Sequence, residues 1–118
     1  MSVRALVVED DPDLLEFLLY QVRRLGLGAD GATSLEDALQ ALTVATPQVV
    51  ITDLNLGQHS CERLVRACAD AHIPVVITTG APGDAEHLTD IAASLRILAK
   101  PASLADLRHT LEALDVAD

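Results

Sequence analysis

The sequence predicts an α/β fold, a doubly wound five-stranded parallel sheet flanked by five helices. Two observations carry that prediction. Apolar runs and helix-period patterns alternate five times along the chain, and the stronger runs are continuous rather than alternating in polarity. A continuous β-branched run belongs to a strand covered on both faces, as in a parallel sheet with helices on each side. Right-handed crossovers then give the double winding. The 118 residues suit one domain around one core, so residues 1–118 are expected to form a single unit with no output domain.

The elements follow in order. Val3 to Val8 is an apolar strand interrupted only by Arg4. Asp11-Pro12 makes an N-cap with proline in the first turn, and Leu14, Leu18, Val22 and Leu25 follow at helical spacing. Gly26 to Gly31 is the weakest strand, assigned because the alternation requires one. Ser34 with Asp37 reads as a capping box ahead of the stripe Leu35, Ala38, Leu39 and Leu42. Val49 to Thr52 is the third strand, Cys61 to Cys68 the third helix, and Val75 to Thr79 the fourth strand. A shorter helix over Ala85 to Ala92 follows Gly80, Pro82 and Gly83. Ile97 to Ala99 is a brief last strand, and Ser103 with Asp106 opens a helix whose stripe is Leu104, Leu107, Leu111 and Leu114.

Composition narrows the functional classes. Half the residues are hydrophobic but only 2% are aromatic, so the core is built from aliphatic side chains. Mean hydropathy is positive, yet no apolar run approaches the roughly 20 residues of a membrane span. No signal-peptide pattern develops before Glu9, Asp10 and Asp11, so a soluble cytoplasmic protein is expected. A net charge of -10 argues against direct nucleic-acid binding, which depends on Lys and Arg neutralising phosphates. Cys61 and Cys68 fit neither a disulfide framework nor a zinc site. Spaced by seven with Leu64 and Val65 between, they are expected as buried thiols on one helix face.

The chemistry lies directly after the strands. Glu9 and Asp10 follow the first, Asp53 the third, Thr78 and Thr79 close the fourth, and Lys100 follows the fifth. A parallel sheet gathers all of these at one edge, the carboxyl ends of its strands. Three close carboxylates repel one another unless a cation intervenes, and an all-oxygen set with open positions suits Mg²⁺. Lys100, the single lysine beside seven arginines, adds a point positive charge, and a threonine hydroxyl adds a donor. The set is suited to forming and holding an acyl phosphate on a carboxylate. Asp11 reads equally well as a helix cap alone. The histidines, His59, His72, His87 and His109, form no motif, although His59 lies in the loop after Asp53 and could touch a partner.

The motifs VVEDD (Glu9, Asp10), VVITDLNL (Asp53), PVVITTG (Thr79) and LAKP (Lys100), in this order over Val3 to Leu114, resemble the receiver domain of two-component response regulators. The resemblance implies a flavodoxin-like sheet of strand order 2-1-3-4-5. It implies that Asp53 accepts a phosphoryl group from a histidine kinase or histidine phosphotransfer protein, and that Asp10 and Asp53 bind Mg²⁺ directly. Glu9 would act on the metal mainly through water, and the backbone carbonyl of Asn55 would be a third protein ligand. Thr79 and Lys100 would reorient toward the phosphate and alter a face that binds a downstream protein target. No enzyme activity beyond self-phosphorylation and self-dephosphorylation is implied.

The chain also departs from that family. Ile97 stands where an aromatic residue is usual three positions before the lysine, and Ala102 where another often follows Lys-Pro. Gly57 and Cys61 occupy places that commonly hold proline and glycine. The segment from Thr79 to Lys100 is about one residue short. These departures keep open a receiver that no longer switches and serves as a constitutive interaction module. A phosphatase or phosphotransferase of the Asp-nucleophile type is disfavoured, because Asn55 stands where its second carboxylate would be. No GxGxxG or P-loop motif supports nucleotide binding.

Overall fold

The computed structural model describes residues 4–116, so Val3 lies outside the described residues. The strands are β1 (Arg4–Val8), β2 (Gly28–Ala32), β3 (Val49–Asp53), the short pair β4 (Asn55–Leu56) and β5 (His59–Ser60), β6 (Val75–Thr79) and β7 (Leu95–Ala99). The α-helices are α1 (Pro12–Arg24), α2 (Leu35–Val44), α3 (Glu62–Asp70) and α4 (Leu104–Ala113), and a 3-10 helix spans Pro82–Asp90. The main sheet is parallel throughout in the order β2-β1-β3-β6-β7. With the β4–β5 hairpin set aside, this is the expected order 2-1-3-4-5.

Each central strand sends alternate side chains to two separate cores. Leu6, Val8, Val50, Val75 and Ile77 pack with α2, α3 and the 3-10 helix on one face. Ala5, Val7, Val49, Ile51 and Val76 pack with α1 and α4 on the other. That two-sided burial is why these strands read as unbroken apolar runs. Cys61, Leu64, Val65 and Cys68 are fully buried on one side of the α3 segment, with both thiols free.

Several boundaries differ from expectation for identifiable reasons. Gly26 belongs to the end of α1, where its positive φ of 93° lets its N–H reach the Arg23 carbonyl at 3.0 Å. The second strand therefore begins at Gly28. Leu14 is exposed, and the sheet-facing side of α1 uses Leu15, Leu18, Leu19, Val22 and Leu25. Ser34 accepts from the Asp37 N–H, but only Ser103 and Asp106 complete a reciprocal capping box. The α3 helix starts at Glu62, with Cys61 as its N-cap. The expected helix over Ala85 to Ala92 is the 3-10 helix, starting earlier and ending at Asp90. Its buried residues, Ala85 and Leu88, are three apart, which matches three residues per turn. The last strand begins two residues early, at Leu95, by pairing with Val75.

Candidate functional site

Two neighbouring strand ends bring the carboxylates together. Glu9 directly follows β1, Asp10 comes next, and Asp53 closes β3, which neighbours β1 in the sheet. One carboxylate oxygen from each lies within 4.8 Å of the others. Glu9 is held inward by its own backbone, whose N–H continues the ladder to the Ala32 carbonyl at 3.0 Å. Lys100, just past β7, is placed by its N–H bonding the Thr79 carbonyl at 2.8 Å. Its Nζ then donates to Glu9 Oε1 at 3.1 Å and to Asp53 Oδ2 at 3.0 Å. The Lys100–Pro101 peptide bond is cis.

The electrostatics follow from depth. Only 2% of the Glu9 side chain is exposed, against 29% for Lys100. Burial pushes the Glu9 carboxyl above its usual range, partly offset by the Asp11 N–H and by Lys100. A hydrogen bond with Glu9 holds Asp10 below its usual range, helped by the Gly57 N–H. For Lys100, burial acts downward, but its bonds to Asp53 and Glu9 outweigh that and raise its pKa. The lysine is therefore a fixed cation between two acids.

The other expected site residues are close by. Thr79 is buried, and its Oγ1 accepts the Ala81 N–H at 3.0 Å. Asn55 is exposed and opens the β4–β5 hairpin. Asp11 caps α1, accepting the Asp13 N–H at 2.9 Å. His59 is exposed on β5, while His72 lies in the turn after α3, His87 on the 3-10 helix and His109 on α4. Ile97 is half-buried and packs against the core shared by α2, α3 and the 3-10 helix.

Two features went unread in the sequence. Gln21 and Thr78 line a cavity of about 280 Å³ beside Glu9 and Lys100. Gln21 donates to the Ala102 carbonyl at 3.3 Å, while its Oε1 and the Thr78 Oγ1 are buried without partners among the described residues. Polar residues at sheet-facing positions of an apolar helix and strand were the available signal. The second feature is the hairpin itself, whose Gly57 N–H donates to Asp10 Oδ2 at 3.1 Å. A two-residue strand has no periodicity to detect.

The donor set fits a hard divalent cation: three carboxylates, no nitrogen or sulfur ligand, and one side open at exposed Asp10.

The comparisons with known proteins point one way. Residues 5–112 match the response regulator receiver domain. The chain is 36% identical over 87 residues to protein Rrf1 of Nitratidesulfovibrio vulgaris, covering 70% of this chain and 63% of that protein. It is 29% identical over 125 residues to the transcriptional regulatory protein CitB of Klebsiella pneumoniae, covering 94% of this chain and 50% of that one. The chain thus spans between half and two thirds of the length of these curated relatives. Among solved structures, a CheY-like response regulator receiver domain from Methylobacillus flagellatus superposes with a TM-score of 0.85 at 27% identity. That match covers 97% of this chain and 99% of the other.

Proposed function

The chain belongs to the response regulator receiver domain family, and on that premise we propose that Asp53 accepts a phosphoryl group from the phosphohistidine of a histidine kinase or histidine phosphotransfer protein. Receiver domains are signalling modules rather than enzymes, so the chemistry is a single charging event followed by discharge. The observation that carries the reading is Lys100 Nζ seated between Glu9 and Asp53, at 3.1 and 3.0 Å, on the rim of a three-carboxylate cluster.

In the proposed step an Asp53 carboxylate oxygen forms a bond to phosphorus as the donor's phosphorus–nitrogen bond breaks, and the departing imidazole takes a proton from solvent. Glu9, Asp10 and Asp53, with the Asn55 carbonyl, would hold Mg²⁺, which supplies positive charge against the phosphoryl oxygens. Lys100 supplies a second cation already in place. Thr79 would turn its hydroxyl from the Ala81 N–H to donate to a phosphoryl oxygen. Loss of the contacts that Lys100 and Thr79 make now would bias the β6-to-β7 face and its affinity for a downstream protein.

The test is incubation with Mg²⁺ and a small acyl-phosphate donor, read by intact mass. One added phosphoryl group, absent from Asp53→Asn, is expected; no gain with any donor, or a gain that survives the substitution, defeats the reading.

Ile97 favours a second reading, a receiver-like module whose interactions do not depend on phosphate. An aliphatic side chain packed into the core cannot make the aromatic rotation on which the family's usual readout relies. Amide spectra before and after phosphorylation separate the two. Changes reaching from Asp53 through Thr79 to the 3-10 helix support a switch, and changes confined to the neighbours of Asp53 support the constitutive module.

A further inference from the structure

The hairpin after Asp53 is built around a donor that the hairpin does not use. Leu56 pairs with His59, leaving Gly57 and Gln58 as a two-residue turn. Gly57 has a positive φ of 66° and Gln58 does not, the pattern of a type II′ turn with glycine first. In such a turn the ladder bonds belong to the flanking pair, so the Gly57 N–H points out of the hairpin. It meets Asp10 Oδ2 at 3.1 Å, 47 residues away in sequence.

Both ends of the hairpin are anchored. Leu56 is buried in the core shared with α3, and the Cys61 N–H bonds the Leu54 carbonyl at 2.9 Å. The Gly57 N–H is therefore presented to Asp10 by a braced loop, and among the described residues its bond is the one that joins the hairpin to a carboxylate of the cluster. A proline at this place would have no N–H to give, so the contact depends on the glycine that stands here.

We infer that the Gly57 backbone N–H is a positioning group for Asp10, holding one carboxylate oxygen so that the other is presented to the cation. This rests on the Mg²⁺ reading of the Glu9–Asp10–Asp53 cluster. Hydrogen bonds to ligands from outside the coordination sphere fix ligand orientation, and their loss typically costs about 10- to 100-fold in metal affinity. The inference makes β4–β5 part of the metal site and couples its order to metal binding. Gly57 has no atom within 4 Å of an added Cβ, so the N–H and the backbone conformation are what this position contributes.

The test replaces the residue 57 amide with an ester, removing the N–H while keeping the glycine geometry. Total synthesis of the full chain, with ligation at Cys61, gives the variant. Mg²⁺ affinity is read from amide shifts of Asp10 and Leu54, and folding from the melting temperature without metal. An approximately tenfold or greater loss of affinity with little change in melting temperature is the expected result. Wild-type affinity in the ester chain overturns the inference while leaving the metal reading standing. Failure of the wild-type chain to bind Mg²⁺ at these residues overturns both. If the ester chain does not fold, the scalar coupling across the hydrogen bond from Gly57 nitrogen to Asp10 Cγ decides in the wild-type chain. Persistence of that coupling at Mg²⁺ saturation supports the inference, and its loss overturns it.

Discussion

The two ends of the sheet's carboxyl edge are built to different standards. At the β1–β3 end, Glu9 and Asp53 share Lys100, Asp10 accepts from the Gly57 N–H, and the buried Cys61 and Cys68 of the α3 segment pack behind. At the β6–β7 end, the Thr79 hydroxyl turns back on the Ala81 N–H, and the chain continues into a 3-10 helix with two buried residues. Exposed Gly80 and Gly83 flank its start. The first end fixes charged groups where chemistry needs them. The 3-10 helix at the second end rests on poorer hydrogen-bond geometry and only two buried residues, which places it at the low-stability end of the fold.

The largest expected contrast is in opening. Cys61 and Cys68 are fully buried, and burial pushes both thiols up to about 12 from an ordinary 9.0. A water-soluble disulfide reagent at pH 8 should modify them more than about a thousandfold slower than the unfolded chain, because modification needs near-global opening. The amides of the 3-10 helix should exchange far sooner. Rapid thiol modification would erase the distinction between the two ends. The raised thiol pKa values also set a stability window: their contribution is complete below pH 9 and is lost as pH rises through about 12.

Next in size is Lys100→Met. It leaves Glu9 buried beside Asp10 and Asp53 without its cation, at a cost of about 2 kcal/mol by denaturant unfolding near pH 8, reduced from the fully buried case because Lys100 is partly exposed. The sign with pH follows from Glu9. Its folded pKa lies above the ordinary 4.5, so its contribution is full below that pH and is lost as pH rises through the folded value. Lys100 acts to lower that pKa, so its loss raises it further, and the variant's deficit should shrink as the pH falls toward 4.5. A deficit independent of pH would show that Lys100 stabilises by packing rather than charge. Thr78→Val acts in the opposite direction. It removes a buried hydroxyl without a partner among the described residues and keeps the side-chain shape, so a gain of about 1 kcal/mol is expected. A loss in calorimetry would mean that Thr78 has a partner, such as an ordered water.

How much the sequence disclosed follows the same division. The strand-end residues Glu9, Asp10, Asp53, Thr79 and Lys100 were legible because period and β-branching locate strands, and a parallel sheet aligns their ends. The α3 face was legible because four apolar residues at helical spacing have one solution. The 3-10 helix was not, since Ala85 and Leu88 fit three or 3.6 residues per turn over so short a span. Leu14 misled because one apolar residue on an amphipathic helix can lie just outside the buried arc. The Gly57–Asp10 contact was invisible because backbone donors leave no trace in side-chain pattern.

The smallest effect isolates the weaker end. Gly83 lies at the second position of the 3-10 helix, has no positive φ, and an added Cβ would meet nothing within 4 Å. Gly83→Ala thus removes freedom from the unfolded chain without strain in the folded one, a gain of about 0.5 kcal/mol. The residue touches none of Glu9, Asp10, Asp53 or Lys100, so the rate of phosphorylation from an acyl-phosphate donor should stay the same. Hydrogen exchange over Pro82–Asp90 should slow by about twofold, the rate equivalent of that gain. An altered phosphorylation rate would mean that motion of the 3-10 helix reaches the acceptor before any phosphate is present. The two ends would then be one mechanical unit, and the division between fixed chemistry and loose readout would fail at its boundary, Thr79.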